Sequence, residues 1–173
     1  MPPNFLERSG SNRGFSIVTL LIIVALLIAA LNVYAYFDPS FELSQFSVVH
    51  FLREHNDKQR ISDINKIKDA VEKYYDDHGE YPANDGWCSR IFSLMHPEVK
   101  DAITPYFKNG DIPSDPSFGG TNKEYFYRRE DKNTAILMAA LENLPSNATT
   151  YNYSGCYDWP GNGVYNYRVT LNR

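Results

Sequence analysis

The chain has 173 residues, 43% hydrophobic and 22% charged, a balance that excludes wholesale disorder and low-complexity fibre. Its net charge of −4, from 17 basic and 21 acidic residues with no basic block, argues against nucleic acid as a main partner, because phosphate binding needs clustered Lys and Arg. Hydropathy divides it into two unlike parts, an uncharged apolar stretch near the N-terminus and a markedly polar remainder.

The apolar stretch runs from Phe15 to Phe37, FSIVTLLIIVALLIAALNVYAYF, with Ser16, Thr19 and Asn32 as its clearly polar side chains. As a helix it measures about 35 Å at about 1.5 Å per residue, enough to cross a hydrocarbon core of about 30 Å. Tyr34 and Tyr36 stand at its far end, where aromatic rings favour the membrane–water boundary. Arg8 and Arg13 precede it and assign the short leader to the cytoplasm, so residues after about 38 are expected in an exported compartment. A cleaved secretory signal needs a shorter apolar run and a small-x-small site, whereas this run ends in the bulky NVYAYFDP. A plain single-pass anchor fits it as well.

The junction Arg13-Gly14-Phe15-Ser16, after a short polar leader, resembles the N-terminal signal of type IV pilins and type II secretion pseudopilins. In that family a prepilin peptidase cuts after the glycine and methylates the new N-terminal phenylalanine. The resemblance therefore implies processing between Gly14 and Phe15. A second region is similar too: Arg60-Ile61-Ser62-Asp63-Ile64, Ala70, Tyr74-Tyr75, Gly79 and Tyr81-Pro82 look like the end of a pilin spine helix. Ile112-Pro113, Asp115-Pro116 and Tyr125-Phe126-Tyr127 resemble the loop and first strand of pilin heads, and beyond about residue 130 the likeness is loose. One position departs from the pattern. The family usually has Glu at the fifth mature position, opposite the N-terminal amine of a neighbouring subunit, and here that position is Thr19. A threonine can hydrogen-bond but cannot neutralise an ammonium in lipid, which tilts the reading toward a minor or tip subunit.

Asp38-Pro39 reads either as a cap opening a new helix or as a kink within one long helix. Further on, Ile61, Ile64, Ile67, Val71 and Tyr74 or Tyr75 recur at spacings of three and four, opposite Lys66, Asp69, Glu72 and Lys73. That is an amphipathic helix, which Gly79 stops and Pro82 keeps stopped. Prolines 97, 105, 113 and 116 punctuate the next stretch, with short helices expected around Ile91–Met95 and Val99–Tyr106. Glu124–Arg128 and the alternating Tyr165, Tyr167, Val169 and Leu171 read as strands. Ala135–Leu141 suits a helix or a buried strand, and the resemblance favours the strand.

Cys88 and Cys156 both fall in the part expected to be exported, where a single disulfide is the default and two free thiols the alternative. Such a bridge would be worth at most about 4 kcal/mol. His50, His55, His78 and His96 lack metal-ligand spacing and read as surface residues. Because some pseudopilins hold calcium in head loops, Asp111, Asp115, Glu130 and Asp131 are weak calcium candidates by resemblance, with Asp111 and Asp115 foremost; no EF-hand pattern accompanies them. No GxSxG, HExxH, P-loop or GxGxxG motif occurs, so no enzyme and no cofactor is expected. Tyr151–Tyr167, rich in tyrosine and containing Trp159, reads as strand and loop packing or as an adhesive surface. The triplets at Asn147 and Asn152 match the glycosylation pattern and would be incidental if the source is bacterial, as the resemblance of the leader implies.

The expected fold class is α+β: a long N-terminal helix, membrane-spanning in its first half, packed by its outer half on a small antiparallel sheet. The expected divisions are a cleaved leader over 1–14, a membrane or filament-core helix over 15–37, an amphipathic continuation over 38–79 and a head over 80–173. The resemblance implies a filament subunit that resides in the cytoplasmic membrane and then on the bacterial cell surface. Its partners would be other copies or paralogous pilins, prepilin peptidase and an assembly platform. The competing expectation is a membrane-anchored extracytoplasmic binding domain that never polymerises.

Overall fold

A computed structural model describes residues 16–38, 40–84, 89–91, 97–117, 124–143 and 165–173. The class is α+β: an apolar N-terminal helix, a second long helix, and a small antiparallel sheet. Helix α1 spans Ile17–Phe37 and opens at Ser16, whose hydroxyl accepts the Val18 N–H at 3.2 Å. Helix α2 spans Val48–His78 and opens at Ser47, whose hydroxyl accepts the His50 N–H at 3.0 Å. Between them lie residues 38–47, with a 3₁₀ turn over Glu42–Phe46. Neither alternative at Asp38-Pro39 holds, and the expected long N-terminal helix is divided into two. Asp38 closes α1, its N–H donating to Tyr34 O at 2.9 Å, and the next α-helix starts ten residues later.

The two helices meet at this break. The Asn32 side-chain oxygen accepts the N–H groups of Val48 at 2.9 Å and Val49 at 3.4 Å, and its amide nitrogen donates to Ile28 O at 2.8 Å. The Arg53 guanidinium donates to Ala35 O at 3.0 Å and Tyr36 O at 3.2 Å. Contacts thus rise in the same order along both helices, and the first turns of α2 lie beside the last turns of α1.

Gly79 ends α2 in the left-handed conformation at φ 73°, its N–H returning to Tyr75 O. The next α-helix, α3, is Glu98–Ile103, and a 3₁₀ turn over Thr104–Tyr106 extends it. Strands β2 (Phe126–Asp131), β3 (Thr134–Ala139) and β4 (Tyr167–Asn172) form an antiparallel meander, with the two-residue β1 (Ser89–Arg90) on the outer edge of β2. The β2–β3 turn is fixed by Asp131, whose side chain accepts the Asn133 N–H at 2.7 Å.

One buried cluster unites Ile64, Ile67, Ala70 and Val71 of α2, Val99 and Ile103 of α3, and Tyr127, Ala135, Leu137 and Leu171 of the sheet. On the opposite face of β3, Ile136 and Met138 bury against Phe126 and Tyr165. With both faces covered, β3 carries a continuous apolar run instead of an alternation, which is why its sequence fits a helix as readily as a strand. The expected helix around Ile91–Met95 lies almost wholly outside the described residues; Ile91 itself is a buried turn residue after β1.

Candidate functional site

Helix α1 has 21 residues and is long and apolar enough to cross a membrane; a secretory signal satisfies the same criterion of length and composition. Ala35 is its one buried residue, while Ile17, Leu21, Leu27 and Phe37 are more than half exposed. Burying an aliphatic or aromatic side chain is worth roughly 1.5–3 kcal/mol, so covering this surface is worth tens of kcal/mol. The head's core draws nothing from α1. Thr19 lies exposed in the first turn. Gly14 and Phe15, the expected processing residues, lie outside the described residues, as do Cys88 and Cys156, Asn147, Asn152 and most of Tyr151–Tyr167.

Where α2 enters the head, a polar node interrupts the apolar stripe. Arg60 is completely buried, and each nitrogen of its guanidinium is engaged. Nε donates to Asp115 at 2.7 Å; one terminal nitrogen reaches Asp57 at 2.7 Å and Glu142 at 3.3 Å. The other reaches Asp115 at 3.2 Å and the Ser117 hydroxyl at 2.9 Å. Asp57 also accepts the backbone N–H groups of Glu142 and Asn143 at 2.9 and 2.8 Å, and the Asn143 side chain donates to His50 O at 2.9 Å. One turn further along α2, Asp63 pairs with Lys66 at 2.8 Å and accepts the Tyr125 hydroxyl at 3.1 Å.

Burial pushes the Asp115 carboxyl up, but the Arg60 guanidinium, with the Ser117 hydroxyl and N–H, outweighs it and holds the group below the usual carboxylate range. Burial works against the Arg60 charge too, and Asp115, Asp57 and Glu142 more than offset it. The Tyr125 hydroxyl is pushed well up by burial and by Asp63. A guanidinium saturated in this way neither takes up nor releases a proton, so the node serves as a lock joining α2 to the segments around Asp115 and Glu142.

Of the calcium candidates, Asp115 is therefore engaged by Arg60 and Ser117, and Asp111 is exposed beyond a 3₁₀ turn. Glu130 pairs with Arg128 at 3.2 Å, and Asp131 holds the β2–β3 turn. Among the described residues, no group of three or more His, Cys, Asp or Glu side chains could hold a metal ion. His55 and His78 are exposed and His50 is half-buried. The sequence reading missed both the node and the role of Asn32. The signal for the node was present in the spacing: Asp57, Arg60, Ile64, Ile67 and Val71 share one stripe, so two charged residues occupy positions of the buried face. No protein-family model, curated protein or solved structure matches the chain.

Proposed function

We propose that the chain is a structural subunit of a type IV pilus-like filament, made as a precursor and trimmed between Gly14 and Phe15. The reading is supported above all by an exposed apolar α1, which contributes nothing to the core of the α+β head it carries. In this proposal α1 resides in the cytoplasmic membrane and then moves into a filament core, where equivalent helices replace the acyl chains. The move needs apolar packing and no chemistry from the subunit. The head, with α2 as the outer half of its spine, would coat the fibre, and Cys88 with Cys156 would close a bridge in it. With Thr19 in place of Glu, the subunit belongs at a minor or tip position, where no earlier subunit presents an amine for it to meet.

The test is peptide mass spectrometry of the N-terminus of membrane-extracted protein from its native host. The expected result is a mature chain beginning at Phe15 with one extra methyl on its amine. A chain still beginning at Met1 would sink the filament reading and leave an anchored extracytoplasmic domain. A start beyond residue 37 would mean that the apolar helix had served as a signal.

A further inference from the structure

The apolar surface does not end with α1. Leu43, Phe46, Val48, Phe51 and Leu52, in the 3₁₀ turn and the first turns of α2, are each more than half exposed. Between Phe41 and Leu52, Glu42 is the only acidic or basic residue of the Asp, Glu, Lys and Arg set. These positions also lie lower than the order of the chain suggests. Val48 and Val49 sit level with Asn32, which at about 1.5 Å per residue is roughly 7–8 Å before the end of α1.

The backbone at this elbow is closed in a manner that water would not require. A helix start leaves four N–H groups without intrahelical partners. In α2 all four are satisfied within the chain: Ser47 by Ser44 O at 2.8 Å, Val48 and Val49 by Asn32, and His50 by the Ser47 hydroxyl. At the facing end of α1, the Ala35 and Tyr36 carbonyls accept from Arg53 and the Asp38 carbonyl accepts from the Phe41 N–H at 3.4 Å. Solvent satisfies such groups at an exposed helix end, whereas lipid does not, and there each open group costs several kcal/mol. An apolar exterior over a helix start with all four N–H groups paired inside the chain is the chemistry of a surface facing lipid.

We propose that the elbow is a lipid-facing collar: Phe46, Val48, Phe51 and Leu52 enter the interfacial layer of the bilayer beside the last turns of α1. The membrane boundary then falls near Arg53, level with the end of α1, so that residues 43–52 lie beside the span and not beyond it. Asn32, the one strongly polar side chain in the outer half of α1, acts as a latch that docks α2 against the span. The inference rests on the part of the proposed function that assigns α1 to the membrane before assembly.

The test uses the full chain in vesicles of phosphatidylcholine and phosphatidylglycerol at high lipid excess, with added tryptophan reporters and the parent spectrum subtracted for Trp87 and Trp159. Reporters are Ile23→Trp in mid-span, Phe51→Trp and Leu52→Trp in the elbow, and Lys73→Trp on the outer face of α2. The expected result is blue-shifted emission from both elbow reporters and loss of most of their intensity with lipids brominated near the headgroup. Ile23→Trp should respond to deep bromines, and Lys73→Trp to neither. Quenching at Ile23→Trp with water-like, unquenched emission from both elbow reporters would overturn the collar and leave the span intact. Blue-shifted but unquenched elbow reporters would mean that a second copy of the chain covers the surface, which also overturns it. An unquenched Ile23→Trp would remove the membrane assignment of α1, and the collar with it.

Discussion

Arg60 stands where the stripe of α2 is otherwise occupied by Ile64, Ile67 and Val71, and it is tolerated there because three carboxylates and a hydroxyl surround it. Removing one partner of a buried ionic set leaves uncompensated charge, so Arg60→Leu should destabilise the protein by about 3–5 kcal/mol. Urea unfolding of the full chain in detergent at pH 7 would measure it. The pH dependence has a definite sign. Asp115 has a folded-state pKa below its unfolded value of about 3.9, so its contribution is complete above that value and is lost as pH falls through the depressed pKa. Acidification below about pH 4 should therefore cost the parent more stability than it costs Arg60→Leu. The position of these residues was legible in their spacing; their burial was not. Charged side chains on a helix usually face water, and the partners Asp115 and Glu142 are far away in sequence.

At the scale of elements, local chemistry was the readable part. Gly79 stops α2 where its position predicts, because a left-handed φ of 73° is open to glycine and strained for other residues. A Cβ there would meet nothing within 4 Å, so Gly79→Ala tests the backbone alone: a loss of about 1 kcal/mol, partly recovered in Gly79→Asn. Thermal unfolding of the two variants side by side would separate them. Helix α3 with its 3₁₀ extension and β4 also fall where turn residues and alternation put them, while β2, expected over Glu124–Arg128 from its aromatic content, runs two to three residues later, over Phe126–Asp131. The break between α1 and α2 was harder to read. Proline after Asp38 suits a kink and a cap alike, and the deciding contacts, Asn32 with Val48 and Arg53 with Tyr36, span 16 and 17 residues. Strand β3 was ambiguous for a different reason, since burial on both faces removes the period that distinguishes strand from helix.

The whole molecule consists of parts suited to different solvents. The head's cluster begins at Ile64, so a chain starting at Arg53 should stay in the aqueous phase of a detergent partition and unfold cooperatively. Its midpoint should lie within about 5 °C of the full chain, the shift that losing the Asn143–His50 hydrogen bond would bring. A chain starting at Ser40 keeps Phe46, Phe51 and Leu52 and should move to the detergent phase. Circular dichroism and partition assays on the two chains check both outcomes. The elbow also has a mechanical meaning. Tension between α1 and the head runs through residues 38–47 in parallel with the side-chain ties at Asn32 and Arg53. Those ties are a few hydrogen bonds near the helix ends, whereas the head is held by its apolar core and the Arg60 node, so the ties rupture first under load. Ten residues then straighten to roughly 30 Å at about 3.3 Å each while the core of α2 and the sheet keeps its contacts. In the filament proposed above, a subunit built this way would lengthen by a fixed increment under strain and recoil when the ties re-form.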